Sequence, residues 1–273
     1  MPRVAYRSLF LAALCAALLG CATSSTDADW TYEPRVGQTG KDVIWVPTKQ
    51  LLVDAMLDMA QITPRDYLVD LGSGDGRTVI TAAKRGTRAH GIEFNPDLVE
   101  LSKRAARAEG VSRRATFEQG DIFEVDFSDA TVVTLYLLPD LNLKLRPTLL
   151  AMKPGTRIVS NSFEMGDWEE DEMVHIKEGC PGYCMAYKWV VPARVEGTWA
   201  MDDAELELRQ RFQMLEGVLR RGGSAQPISD ARLDGARIRF TVGAERYTGE
   251  VDGEHMKGEV DGSRAWRATR RAN

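Results

Sequence analysis

Three histidines serve 273 residues, at positions 90, 175 and 255, and no ligand spacing relates them. Zinc sites repeat their ligands at short fixed intervals, so this scarcity argues against a histidine-based metal centre. Charge of one sign is also lacking: 35 basic against 40 acidic side chains leave a formal net charge of −5. No strong basic field is present to draw nucleic acid as the main partner. The apolar run at the start, Leu9 to Leu19, has about eleven residues, too short for a bilayer-spanning helix, which needs roughly 20. A Gly-Lys-Ser/Thr sequence is missing from the glycine-rich segment, which excludes a phosphate-binding loop.

What is present at the N-terminus has the form of an export signal. Arg3 and Arg7 precede the apolar run, which has the dimensions of a secretory signal core. Leu18-Leu19-Gly20-Cys21 then resembles a bacterial lipobox, with an ordinary cleaved signal as the alternative. That resemblance implies a signal peptide over residues 1–20 and lipidation, palmitate included, of Cys21. Ala22 after the cysteine implies the outer membrane, facing the periplasm. More than one acyl chain makes such anchoring stable. Residues 21–42, rich in Ser, Thr, Asp and Gly, read as a flexible tether. Cys15 would leave with the signal. Cys180 and Cys184 bracket the turn-forming Pro181-Gly182. In an oxidising compartment they fit a short disulfide loop or two free thiols.

Two domains follow. Over residues 43–193, strand-like runs alternate with helical ones. An amphipathic helix is expected over Leu51 to Ala60, and strands over Tyr67 to Leu71, Ala89 to Ile92, Ala115 to Gln119, Ala130 to Tyr136 and Arg157 to Ser160. Helices are expected after the glycine turn through about Lys84, and from Pro96 to Glu109 with Asn95 as N-cap. This alternation gives an α/β class, a doubly wound, mostly parallel sheet covered on both faces. Residues 194–273 differ. Short alternating runs at Arg237 to Val242, Tyr247 to Val251 and Ala265 to Thr269 are punctuated by Asp-Gly at 234–235, 252–253 and 261–262, the signature of tight hairpins. Gly-Glu-Val-Asp-Gly occurs at 249–253 and again at 258–262. A small antiparallel β module, barrel or half-barrel, is the expectation.

The chemistry concentrates in Asp70-Leu71-Gly72-Ser73-Gly74-Asp75-Gly76, between a strand and a helix. Glycines there permit positive φ and close approach of backbone N–H groups to a ligand. A dinucleotide fingerprint needs a glycine where Arg77 stands. An acid at the strand end repels a pyrophosphate and suits a cationic amino acid. Glu93 ends the second strand, and Asp121, with Ile122 after it, follows the third; alone, Asp121 reads equally well as a plain loop residue.

The pattern Asp-x-Gly-x-Gly-x-Gly resembles motif I of the class I S-adenosylmethionine-dependent methyltransferases. The stretches Gly120 to Phe123, Ala130 to Val133, Lys153 to Ser160 and Val46-Pro47-Thr48 resemble the DOT1-like and mitochondrial-type lysine methyltransferase group. The resemblance covers roughly residues 44–192. It implies S-adenosyl-L-methionine as cofactor, bound by Asp70, Gly72, Ser73, Gly74, Asp75, Gly76, Glu93, Asp121 and Ile122, and a seven-stranded Rossmann-like sheet with the last strand reversed. It also implies an N-terminal segment, Thr48 included, closing over the cofactor; a helix start explains Thr48 equally well. The acceptor region departs from the group, because Tyr136-Leu137-Leu138-Pro139-Asp140-Leu141-Asn142 lacks its Asn-and-aromatic pattern. The Asn-Pro-Pro-Tyr signature of adenine and glutamine methyltransferases is absent too.

Methyl transfer asks mainly for alignment. Tyr136, at the carboxyl end of the fourth strand, is the acceptor-side catalytic candidate, with a half-buried strand residue as the plain alternative. Asn161, Phe163 and Trp168 follow the fifth strand as candidate walls, Trp168 fitting simple packing better. Two functions fit: an envelope methyltransferase with an unspecified acceptor, a protein side chain or a small molecule, or a non-catalytic envelope lipoprotein whose methyltransferase-like domain only binds.

Overall fold

Strands covered on both faces read as near-continuous apolar runs, and three central ones do so until their carboxyl ends, where Asp70, Thr134, Ser160 and Asn161 stand. Tyr67–Leu71 (β1), Val132–Leu135 (β4) and Arg157–Asn161 (β5) are buried throughout except at their first residues in β1 and β5. A computed structural model of the chain describes residue 1 and residues 32–182 and 184–271. Met1–Glu33 forms a unit of its own, and everything below belongs to Pro34–Asn273. The expected signal peptide beyond Met1, Cys21 and the first half of the expected tether lie outside the described residues.

Arg88–Glu93 (β2) and Ala115–Gln119 (β3) join β1 on one side. β4, β5, Met185–Val190 (β7) and Glu172–His175 (β6) follow on the other, in the order β3-β2-β1-β4-β5-β7-β6. β1 to β5 are mutually parallel. β7 runs antiparallel to both β5 and β6, so the reversed strand is the last in the chain but not the outermost. The outer strands β3 and β6 alternate or face solvent, as edges do.

Gln50–Met59 (α1), Arg77–Lys84 (α2), Pro96–Ala108 (α3) and Pro139–Leu150 (α4) are the helices. α3 starts as its sequence dictates: Pro96 opens it and Asn95 Oδ1 accepts from the Asp97 N–H at 2.9 Å. α1 has Lys49 at its cap position with no side-chain cap, so Thr48 is not the helix start. α1 and α2 pack with Leu68, Val132 and Val159 on one face of the sheet. Leu145, Leu149, Trp168 and Trp189 pack with Val69, Val133 and Ile158 on the other.

The C-terminal module is a closed barrel of eight antiparallel strands, β8 (Gly197–Met201), β9 (Ala204–Arg211), β10 (Met214–Arg221), β11 (Ser224–Asp234), β12 (Arg237–Val242), β13 (Glu245–Asp252), β14 (His255–Val260) and β15 (Arg264–Arg270). Closure comes from β15 pairing with β8. The repeated pentapeptides lie on neighbouring strands with Gly249 opposite Gly258, and the Asp261-Gly262 turn has positive φ at both residues. The inside is filled by side chains. Phe240 and Tyr247 stack at 4.7 Å and Trp266 stands edge-on to both, as an eight-stranded barrel allows. The barrel is fastened to the sheet. Trp168 Nε1 donates to Gln213 Oε1 at 3.0 Å, Gln213 Nε2 donates to the Glu169 carbonyl at 2.7 Å, and Arg232 pairs with Asp171.

Candidate active site

A sheet whose strand order reverses leaves a crevice at the carboxyl ends of the strands on either side of the switch. Here β1 is flanked by β2 and β4, and the crevice above them encloses about 240 Å³. Asp70, Gly72, Ser73, Gly74, Asp75, Glu93, Asp121, Ile122, Tyr136 and Thr48 all line it. Gly76 does not. It is the left-handed residue before α2, and a Cβ there would sit 2.7 Å from the Phe117 ring, so it serves the packing of α2 rather than the crevice wall.

Asp70 ends β1 buried, with its Oδ1 accepting from Thr134 Oγ1 at 2.6 Å. Burial, helped by the negative charges of Glu93 and Asp75, pushes its carboxyl up to about 7, against the opposing hydrogen bonds from Thr134 and Thr78. A cation brought beside it would draw it into its ionised form. The Glu93 carboxylate holds the loop: one oxygen accepts from Gly74 N–H and the other from Asn95 N–H, both at 2.9 Å. Asp121 pairs with Lys41 and accepts from Phe123 N–H at 3.0 Å, which together hold its carboxyl below the ordinary value. Ser73 Oγ is buried and has no hydrogen-bond partner. An orphaned hydroxyl in a crevice lined by Asp70, Glu93 and Asp121 and by bare Gly72 and Gly74 fits a polar, donor-rich ligand.

The N-terminal segment supplies a roof. Gly37 N–H donates to the Trp45 carbonyl at 2.8 Å and Trp45 N–H to the Gln38 carbonyl at 2.9 Å, with Thr39 bridged to Ile44. This hairpin overlaps the segment expected to be tether, and Gln38 through Thr48 line the crevice. Thr48 is tied down twice. Its carbonyl accepts from Arg77 Nη1 at 2.8 Å, and its Oγ1 accepts from Asn161 Nδ2 at 3.0 Å. Arg77 also clasps Asp75, with Nε donating at 2.9 Å. Sequence reasoning passes over Arg77, Trp45, Lys41 and the tying role of Asn161. No local pattern announces their ties to the roof: Arg77 reaches Thr48 over 29 positions, Lys41 reaches Asp121 over 80 and Asn161 reaches Thr48 over 113, whereas the Arg77–Asp75 pair is two positions apart.

On the acceptor side Tyr136 stacks on Phe163 with centroids 6.2 Å apart, and both line the crevice. Asn161 is buried behind it. Trp168 is core, stacked on Phe212 at 5.8 Å and tilted against Trp189. Cys180 and Cys184 form a disulfide in the loop between β6 and β7, which returns the chain to Met185, bonded to Ser162 beside the crevice.

A 3-2-1-4-5-7-6 sheet with three carboxylates at successive strand ends around a glycine loop defines a class I S-adenosylmethionine-dependent methyltransferase. Comparison with known proteins agrees. Residues 70–172 match the ANTKMT methyltransferase domain. A protein-lysine N-methyltransferase of Saccharolobus islandicus is 41% identical over 140 residues, half of this chain and 87% of that protein. A lysine N-methyltransferase of Homo sapiens, named for a component of ATP synthase, is 35% identical over 47% of this chain and 55% of its own length. A Salinibacter ruber crystal structure, described as an RNA methyltransferase in complex with S-adenosyl-L-homocysteine, is 47% identical over 55% of this chain and 96% of that one, with TM-score 0.52. This chain belongs to that family of S-adenosylmethionine-dependent methyltransferases, and S-adenosyl-L-methionine is its cofactor. A domain that binds without turnover finds no support in these likenesses.

Proposed function

We propose that this methyltransferase modifies a lysine side chain of a protein, presented by a segment with apolar neighbours. The chemistry of the crevice mouth carries the reading. Ile44, Phe94 and Leu138 line the crevice yet are 59%, 48% and 47% exposed; Leu143, on α4 outside the crevice lining, is 40% exposed. Meanwhile Asn142 is fully buried, donating to the Phe163 and Glu164 carbonyls at 3.3 and 3.2 Å. The start of α4 therefore turns leucines outward and an amide inward, the reverse of ordinary helix patterning. An apolar rim around a reaction site marks a contact surface. An RNA acceptor would call for unpaired cations along a groove. The cations lining this crevice, Lys41 and Arg77, are paired with Asp121 and Asp75. The Saccharolobus and human relatives, named as lysine methyltransferases, support the same substrate class; the description of the Salinibacter protein points to RNA, and the apolar mouth favours the protein reading over it.

When bound, S-adenosylmethionine would supply an electrophilic methyl on a sulfonium, with a neutral thioether as the leaving group. The chain supplies alignment. Asp70 would hold the cationic amino end, Glu93 the ribose hydroxyls, and Asp121 the adenine amino group, with Ile122 against the ring. A lysine must shed a proton before its nitrogen can attack. Apolar walls disfavour its charged form, so its proton passes to water as the side chain enters, and the paired rings of Tyr136 and Phe163 would wall and orient the neutral nitrogen. Tyr136 is the catalytic residue of this reading. Anchoring through lipid on Cys21 at the periplasmic face of the outer membrane belongs to the same proposal; palmitate labelling that survives Cys21→Ser contradicts it.

The test is label transfer from methyl-labelled cofactor into envelope protein and into RNA, followed by amino-acid analysis. Methyl-lysine in acid hydrolysates is the expected product. Label confined to RNA overturns the reading.

A further inference from the structure

We propose that Lys41 gates the adenine end of the cofactor crevice, holding Asp121 until the adenine amino group replaces it. Lys41 stands at the tip of the N-terminal hairpin, inside a turn closed by Gly40 N–H donating to the Val43 carbonyl at 2.9 Å. The hairpin ladder below displays the side chain from a preformed element. Its ammonium pairs with Asp121 Oδ2, 80 positions along the chain, and lies 5.3 Å from the centre of the Phe94 ring. The other Asp121 oxygen already accepts from Phe123 N–H. Both oxygens of the acid assigned to adenine are therefore engaged, one of them by a full positive charge.

A neutral aromatic amine is a weaker partner for a carboxylate than an ammonium is. The exchange proceeds because Lys41 has a second acid at hand: Asp42, its neighbour in the turn, lies 3.8 Å away. Lys41 and Asp121 are both in reach of water, so the contact is of the modest, salt-screened kind. That places it in the range where a ligand can displace it and where its loss is measurable. The gate rests on the assignment of Asp121 to adenine, and the two ideas fail separately.

The test uses the full mature protein and two probes, S-adenosylhomocysteine and adenosine, neither carrying net charge. Calorimetric titrations compare the wild type with Lys41→Met, Lys41→Arg and Asp121→Asn at low salt and at about 1 M salt, where screening acts within about 3 Å. Lys41→Met is expected to bind both probes about three- to fivefold tighter at low salt, with the difference gone at high salt. Lys41→Arg is expected to match the wild type. Equal or weaker binding by Lys41→Met at low salt overturns the gate, because Lys41 then leaves the adenine untouched or holds it. Unchanged affinity in Asp121→Asn overturns the adenine assignment itself, and the gate with it.

Discussion

The indole of Trp45 lies directly on the backbone of Gly74, with Nε1 only 2.7 Å from where a Cβ on that glycine would stand. Gly74 also has φ +55°, so any side chain there meets both backbone strain and the roof of the crevice. Gly74→Ala is expected to lift Trp45 and weaken binding of S-adenosylhomocysteine by at least about tenfold, the counterpart of about 1.4 kcal/mol. Titration calorimetry reads it; an affinity within about twofold of wild type contradicts the close approach.

Arg77 ties the roof to the glycine loop through Thr48 and Asp75. A lysine cannot reproduce a fork that serves a carbonyl and a carboxylate together. Arg77→Lys is expected to raise the cofactor KM several-fold and leave kcat nearly unchanged, since the group lies away from the transferred methyl. A fall in kcat at unchanged KM would place Arg77 in the chemistry instead.

Asp70 carries a pH dependence whose sign follows from its raised pKa. In the unfolded chain it ionises near 3.8, in the folded protein at about 7. Between those values the folded state holds the extra proton, so this group's contribution to stability falls as pH rises through that window and stays low above it. Asp70→Asn is therefore expected to stabilise the empty protein at pH 8, by of order 4 kcal/mol at most, while abolishing cofactor binding. In the wild type, cofactor affinity is expected to rise with pH through about 7 and then level off. Affinity flat from pH 5.5 to 8.5 would show that Asp70 does not face the cationic end.

Gln213 joins barrel to sheet by receiving the Trp168 N–H and donating to the Glu169 carbonyl. Removing it strands a buried indole donor, at a cost of about 1–3 kcal/mol. Gln213→Ala is expected to lower the denaturation midpoint accordingly with the cofactor site intact. Loss of cofactor binding at unchanged stability would contradict a purely fastening role.

Reduction of the Cys180–Cys184 disulfide opens a short loop, and the chain-entropy account assigns it about 2 kcal/mol. Thermal melts with and without reductant check this; identical melts contradict it.

Much of the sheet is legible in the residues. Tyr67–Leu71 and Ala115–Gln119 span the residues expected of them, because β-favouring residues there are bounded by turn-forming segments that break helix and strand alike. α4 escapes detection since Leu138 and Leu143 face outward, Asn142 faces inward, and Pro147 lies within it. β6 is a solvent-facing edge with no buried stripe to read. β10 and β11 are blurred by a register shift and by Pro227. The three carboxylates of the site are legible because each stands at or within two residues of the carboxyl end of a strand, beside a recognisable turn. The roof is not, since Lys41, Trp45 and Arg77 take their meaning from partners that only folding brings near.

A crystal structure with S-adenosylhomocysteine bound tests the cofactor site most directly. Both ribose hydroxyls are expected on Glu93, the amino group beside Asp70, and the adenine amino group on Asp121 with Lys41 moved off it. A nucleoside lying anywhere that leaves Glu93 and Asp70 without a ligand contact would contradict the assignment.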